Sequence, residues 1–193
     1  MGYKNQKIIG IQGGEGSYNH QAAVENCPGR GRIEYLYNTR AVLEAVESKR
    51  VDYGQFALVN TLGGTVGETM EEIGRHRFAV IDSYRMQIRH CLMARKGVTK
   101  RLIGKIMSHE QALKQCARNL EKYYGWCQAI AGSGDLADTA QIAKALAEGR
   151  LASDTAVVGS KNLASIYGLD ILQSNLQDHD NNYTTFLLVA ANH

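Results

Sequence analysis

The chain has 193 residues, 44% hydrophobic and 21% charged, an ordinary balance for a globular protein of one compact domain or two small lobes. Its net charge of +3, with no dense basic run, gives no footing for a nucleic-acid partner and is compatible with a small anionic ligand. No apolar stretch approaches the ~20 residues of a membrane span, and the N-terminus lacks the apolar core of a signal peptide, so a cytoplasmic protein without a membrane partner is expected.

The elements follow in chain order. "KIIGIQ" (7–12) reads as a strand, and "HQAAVEN" (20–26) as a short helix ended by Pro28 and the glycines around it. Gly2 is not followed by Ser or Thr at position 6, so no acylation is expected there. "RIEYLY" (32–37) is a strand, and "TRAVLEAVESKR" (39–50) is a helix with Thr39 as N-cap. "GQFALV" (54–59) is a strand and "TVGETMEEIGRH" (65–76) a helix. "FAVIDSYRMQIRHCLMAR" (78–95) reads as two strands or one long bent strand, and "RLIGKIM" (101–107) as a strand. "SHEQALKQCARNLEKYYG" (108–125) is a helix with Ser108 as N-cap and Gln111 completing a capping box. The alternation continues through "WCQAIA" (126–131), "LADTAQIAKALAEG" (136–149), where Asp138 or Thr139 could cap a helix, "TAVVGS" (155–160), "KNLASIYG" (161–168) and "DILQ" (170–173) to a last strand, "TTFLLVA" (184–190).

Strands alternating with helices predict an α/β fold with mostly parallel sheets. The uninterrupted segment 78–95 suggests crossovers between two lobes. The first lobe takes about 1–82 plus 170–193, the second about 83–169, with a ligand in the cleft where strand ends and helix N-termini meet.

Four places put small polar residues after a strand and at a helix start: "GGEGSYNHQAA" (13–23), "VNTLGGTVGET" (59–69), "SHEQAL" (108–113) and "GDLADTAQ" (134–141). Each has a plain structural explanation as a Gly-rich turn or an N-cap. Together they offer helix N-termini and hydroxyls to a small carboxylate substrate. The six histidines show no HxxxH spacing, and no GxxxxGK[ST] or GxGxxG motif is present, so neither a metal nor another cofactor is expected. Cys27, Cys91, Cys116 and Cys127 show no metal or disulfide pattern, which points to reduced thiols.

The order of these motifs resembles the catalytic domain of prephenate dehydratases over nearly the whole chain. "GGEGSYNHQAA" is similar to the family's G-P-x-G-[ST]-[FY]-[ST], "VNTLGGTV" to E-N-S-x-x-G-x-V, "SHEQALKQC" to S-H-P-Q-A-L-x-Q-C, and "DHDNNYTTF" to D-x-x-x-N-x-T-R-F. "ADTAQIAKALAEG" and "AVVGSKNLASIYGLDIL" follow in order and spacing. The resemblance implies two small α/β lobes around a cleft, periplasmic-binding-protein-like, in a homodimer or homotetramer. It implies a lyase that expels CO2 and water from prephenate, in phenylalanine biosynthesis. It places the catalytic threonine on Thr184 and substrate-binding roles on Asn60, Thr61, Gly64, Thr65, Ser108, Gln111, Asn182 and Thr185. The sequence reaches seven residues beyond Phe186, so no regulatory ACT domain is expected within it.

Two positions depart from the family pattern. Val59 stands where glutamate is expected and Thr185 where arginine is expected. These departures keep two other readings open: a related prephenate decarboxylase that does not aromatise the ring, and a non-catalytic ligand-binding homologue.

Overall fold

The computed structural model describes residues 6–27 and 31–192, so Gly2 and Pro28, read above for acylation and helix termination, lie outside the described residues. The chain divides into two α/β units. One holds the described residues up to Gln87 together with those from Tyr183 onward, and the other holds Ile88–Asn182.

The first unit is built from β1 (Ile8–Ile11), α1 (Tyr18–Asn26), β2 (Arg32–Tyr35), α2 (Thr39–Glu47), β3 (Tyr53–Asn60), β4 (Gly64–Thr65), α3 (Gly67–Ile73), β5 (Phe78–Gln87) and β11 (Tyr183–Ala191). β1 pairs in parallel with both β2 and β3. β11 is antiparallel to β3 and to β5, giving the order β2-β1-β3-β11-β5 with β4 added alongside β3. Apolar residues leave both sheet faces to be covered. Val42, Leu43 and Val46 of α2 bury Phe56 and Val189 on one face. Ala23 and Cys27, at the end of α1, bury Ile9, Ile11 and Leu188 on the other.

The second unit repeats this plan with β6 (Cys91–Ala94), β7 (Lys105–Ser108), α4 (Glu110–Gln115), α5 (Ala117–Tyr124), β8 (Gln128–Ala131), α6 (Thr139–Ala147), β9 (Thr155–Gly159), α7 (Asn162–Tyr167) and β10 (Asp170–Gln173). Its order, β10-β6-β9-β7-β8, again places one antiparallel strand, β6, beside parallel ones. β6 and β9 are buried along their whole length, as strands covered on both faces must be. The two chain crossings run side by side: Tyr183 pairs with Gln87, and the Ile88 N–H donates to the Asn182 carbonyl at 2.7 Å.

Several boundaries differ from the sequence expectation, each for a local reason. β10 pairs with β6, so residues 170–182 go with the second unit and the division falls at Gln87/Ile88 rather than near residue 82. Asn38 caps α2 through its side chain, and Thr39 is the first helical residue, its hydroxyl 3.0 Å from that of Thr69. Ser108 still belongs to β7, so His109 caps α4 and the Ser108–Gln111 capping box does not form. The long helix expected over 108–125 breaks at Cys116, whose ψ of 5° is not helical. Residues Lys100–Leu102 form a 3-10 turn rather than the start of a strand. Of the two caps offered for the helix after 136, Asp138 takes the role.

Two consequences for stability can be measured. A Cβ on Gly54 would lie 2.7 Å from Cγ atoms of both Val42 and Val46, because α2 sits directly on β3 there. Gly54→Ala is therefore expected to cost about 1–3 kcal/mol, read as a lower urea midpoint at unchanged m; an unchanged midpoint would mean that α2 yields freely. Burial also pushes the His90 imidazole below its ordinary value of 6.5, and the same cause lowers His20. The unfolded chain then takes up protons that the folded chain refuses. Stability is expected to fall as pH drops below about 6.5 and to level off below the folded values. His90→Gln should flatten part of that slope between pH 7 and 5, and an identical slope in the variant would remove His90 as its source.

Candidate active site

β11 is the centre of the first unit's candidate site. Thr184 lies opposite Asn60 on β3 and Met86 on β5. The Asn60 amide has an unambiguous orientation. Its Oδ1 accepts from the N–H groups of Leu62 and Gly63 at 2.9 and 2.8 Å, and those groups can only donate. Its Nδ2 therefore faces β11, donating to the Thr184 hydroxyl oxygen at 3.0 Å and to the Tyr183 carbonyl at 3.2 Å. Because the Thr184 oxygen accepts from an amide, its own proton is directed elsewhere. The hydroxyl is thus a donor, and it is 8% exposed.

Thr61 closes the same corner. Its hydroxyl accepts from the Tyr183 N–H at 2.9 Å, and its own N–H donates to the Tyr183 carbonyl at 2.9 Å. Gly64, with φ of +74°, takes the left-handed conformation that turns β3 back into β4, and Thr65 then pairs with Val59. Asn60, Thr61, Gly64, Thr65, Thr184 and Thr185 are thus brought together.

The two departures from the family pattern are one structural event. Thr185 lies directly opposite Val59 across the β3–β11 pairing, and on its other side it lies opposite Arg85 of β5. A glutamate at 59 and an arginine at 185 would be cross-strand neighbours with Cβ atoms about 5 Å apart. In this chain both members of that pair are neutral. The β3–β11 register shifts between Thr185 and Phe186, where Leu58 is the extra residue on β3, a bulge that re-aims the side chains at the end of β3.

Ser108, Gln111 and Asn182 belong to the second unit. Ser108 is fully buried, and its hydroxyl donates to the Val158 carbonyl at 2.6 Å. The Thr139 hydroxyl, 3.2 Å away, then donates to the Ser108 oxygen, while the Thr139 oxygen accepts from the His109 N–H at 3.3 Å. This chain of bonds ties β7, β9 and the start of α6 together. Gln111 is exposed, and its N–H donates to His109 Nδ1. Asn182 is fully buried, and its amide donates to Gln115 Oε1 at 2.8 Å, an oxygen that also takes the His90 Nε2 contact at 2.8 Å.

A second group of polar side chains in the first unit escaped the sequence reading. Gln55, buried in β3, receives the Tyr84 hydroxyl at 2.5 Å and donates to Asn19 Oδ1 and to its carbonyl oxygen. Gln12 Oε1 accepts from the Ala57 N–H at 3.0 Å, and its Nε2 reaches Glu68 Oε2 at 3.3 Å. The other Glu68 oxygen accepts from the Thr39 N–H. The opening glycine motif is partly self-satisfied: the Gly16 N–H donates to His20 Nδ1 and the His20 N–H to the Ser17 hydroxyl. Lone glutamines inside strand patterns carry no local signal that marks such a network.

Comparisons with known proteins agree on one family. The chain is 35% identical over 182 residues to Arogenate dehydratase 2 of Petunia hybrida, covering 94% of this chain and 44% of that protein. It is 34% identical over 182 residues to Arogenate dehydratase/prephenate dehydratase 2 of Arabidopsis thaliana, covering 94% and 46%. The chain thus spans less than half the length of these two relatives. Among solved structures, the prephenate dehydratase from Arthrobacter aurescens, in complex with L-Phe, superposes with a TM-score of 0.87 at 23% identity, over 96% of this chain and 61% of that one. The sequence model of the prephenate dehydratase family matches residues 9–193, and the chain belongs to that family.

Proposed function

We propose that this chain carries the lyase chemistry of a dehydratase acting on prephenate, or on its amino-acid counterpart arogenate, the compounds that name its plant relatives. The ring carboxylate leaves as CO2, its bonding electrons enter the ring, and the ring hydroxyl departs as water after gaining a proton. The observation that carries this reading is the Asn60–Thr184 bond. An alcohol gives up its proton readily only where the developing alkoxide is stabilised, and Asn60 Nδ2 already faces that oxygen at 3.0 Å. Thr184 then hydrogen-bonds the leaving hydroxyl and Asn60 holds the charge that develops behind it. Thr61 and the Gly64 turn keep the two strands in register. A homodimer or homotetramer in the cytoplasm belongs to the same proposal.

Thr184→Val is expected to lower turnover by on the order of 10² or more while leaving substrate affinity nearly unchanged, with Thr184→Ser retaining most activity. A Thr184→Val protein at the wild-type rate would overturn the assignment.

The Val59–Thr185 pair favours a second reading, loss of CO2 without loss of the hydroxyl. A proton delivered to a ring carbon in place of the hydroxyl keeps the ring non-aromatic, and the groups bordering Thr184 decide where the proton goes. Because Arg85 already faces position 185, Thr185→Arg alone would set two guanidiniums opposite each other, which is destabilising. Restoring the pair as Val59→Glu/Thr185→Arg supplies a carboxylate on the other side of position 185 to pair with the new guanidinium. Product analysis by ultraviolet absorbance after incubation with prephenate distinguishes the readings. A decarboxylase yields non-aromatic product from the wild type and more phenylpyruvate from the double variant than from either single one. A wild type that makes only phenylpyruvate, at a rate the double variant does not improve, eliminates the second reading.

A further inference from the structure

β2 ends the first unit's sheet, and among the described residues no strand pairs with its outer edge. The N–H groups of Arg32 and Leu36 donate to the carbonyls of Lys7 and Ile11, so the even-numbered residues of β2 turn their backbone groups toward β1. Ile33 therefore turns its N–H and C=O outward, and neither has a partner among the described residues. The side chains alternate as well. Ile33 packs on the α1 face against the cluster of Ile9, Ile11 and Ala23, and Arg32 and Glu34 stand on the opposite face. Arg32 is exposed and makes no ion pair among the described residues. Glu34 pairs with Arg50 at 3.0 Å through one of its two oxygens. Two other end strands are interrupted by bulges, with Ile81 the extra residue on β5 and Leu172 on β10, a feature that turns an edge away from pairing. β2 keeps an unbroken register with β1. β8 is unbroken too, but it carries no charge that would select a partner.

We propose that the β2 edge joins two copies of this chain, antiparallel, with Ile33 opposite Ile33 of the second copy. This gives the homodimer of the preceding section a contact surface and does not draw on the dehydratase chemistry. A strand paired antiparallel with its own copy has a two-fold axis, so each contact occurs twice. In the register centred on Ile33, the outward N–H of each Ile33 donates to the C=O of the other. The same register sets Arg32 opposite Glu34 of the second copy, and Glu34 opposite Arg32 of the second copy, in the positions where side chains approach most closely. Moving the centre by one residue in either direction sets Arg32 against Arg32 or Glu34 against Glu34, which is destabilising. The two charges thus select one register, and the strand is complementary to itself in that register.

The test follows the full chain by sedimentation velocity over a concentration series. The wild type is expected as a dimer, or as a tetramer built from such dimers. Arg32→Glu makes the edge wholly acidic and Glu34→Arg makes it wholly basic. Each alone is expected to raise the dissociation constant of this contact by about 10-fold or more. An equimolar mixture of the two variants restores opposite charges at both cross-strand positions and is expected to associate within a few-fold of the wild type, which chains damaged in folding would not do. A wild type that is monomeric at every concentration, association undiminished in both variants, or a mixture no tighter than either variant alone overturns the proposal. Turnover of prephenate and arogenate is read on the same wild-type samples. A dimer sensitive to these charges that turns over neither compound supports the interface and overturns the dehydratase reading; an active monomer overturns the interface and leaves that reading standing.

Discussion

The antiparallel insertion of β11 between β3 and β5 is the constraint on which the first unit depends. A strand arriving from the far end of the chain closes the sheet, and its two hydrogen-bonded edges set the residues on either side of it. Along β3 the register puts Thr184 against Asn60 and Thr185 against Val59; along β5 it puts Thr185 against Arg85. Slipping β11 by one residue would exchange its faces, burying Thr185 and turning Phe186 and Leu188 away from their partners. The apolar residues that anchor the strand, Phe186 and Leu188, are therefore also what aims the hydroxyls at its start.

The β3 end of the β3–β4 turn gives that register a polar lock. Asn60 satisfies two backbone donors of the turn with its oxygen and two acceptors of β11 with its nitrogen. Thr61 adds a reciprocal pair of bonds to Tyr183. The groups that would do chemistry are thus also the groups that hold the corner, so the Thr184 hydroxyl is positioned before any ligand arrives. Such preorganisation is what makes a neutral hydroxyl useful as a donor.

Much of this was legible in the sequence because it is local. The alternation of strands and helices, the Asn-Thr-Leu-Gly-Gly turn and the polar start of the last strand are all short-range signals, and it was the resemblance of their order to the family's motifs that put Asn60, Thr61, Gly64, Thr65, Thr184 and Thr185 in one candidate set. What was not legible is what depends on pairing between distant segments. Arg85 sits in a strand whose charged residues look like ordinary surface, and only its register against β11 brings it to Thr185. The allocation of β10 to the second unit likewise depends on its pairing with β6. Ser108 shows the opposite case: a capping signal that read well locally was overridden because the residue is needed in the β7 ladder, with its hydroxyl committed to Val158.

The neutral Val59–Thr185 pair is tied to Arg85, which lies opposite position 185 on the other side of β11. Beside Arg85, an arginine at 185 without a glutamate at 59 would leave two guanidiniums facing each other, and a glutamate at 59 without an arginine at 185 would have no cross-strand cation. Replacing both avoids either cost, and it leaves Arg85 as the cation on that face. On the proposed reading, the groups around the hydroxyl that departs, Thr184 and Asn60, are neutral donors whose bonds strengthen as charge develops, and they stand on the sheet face opposite the Val59–Thr185 pair.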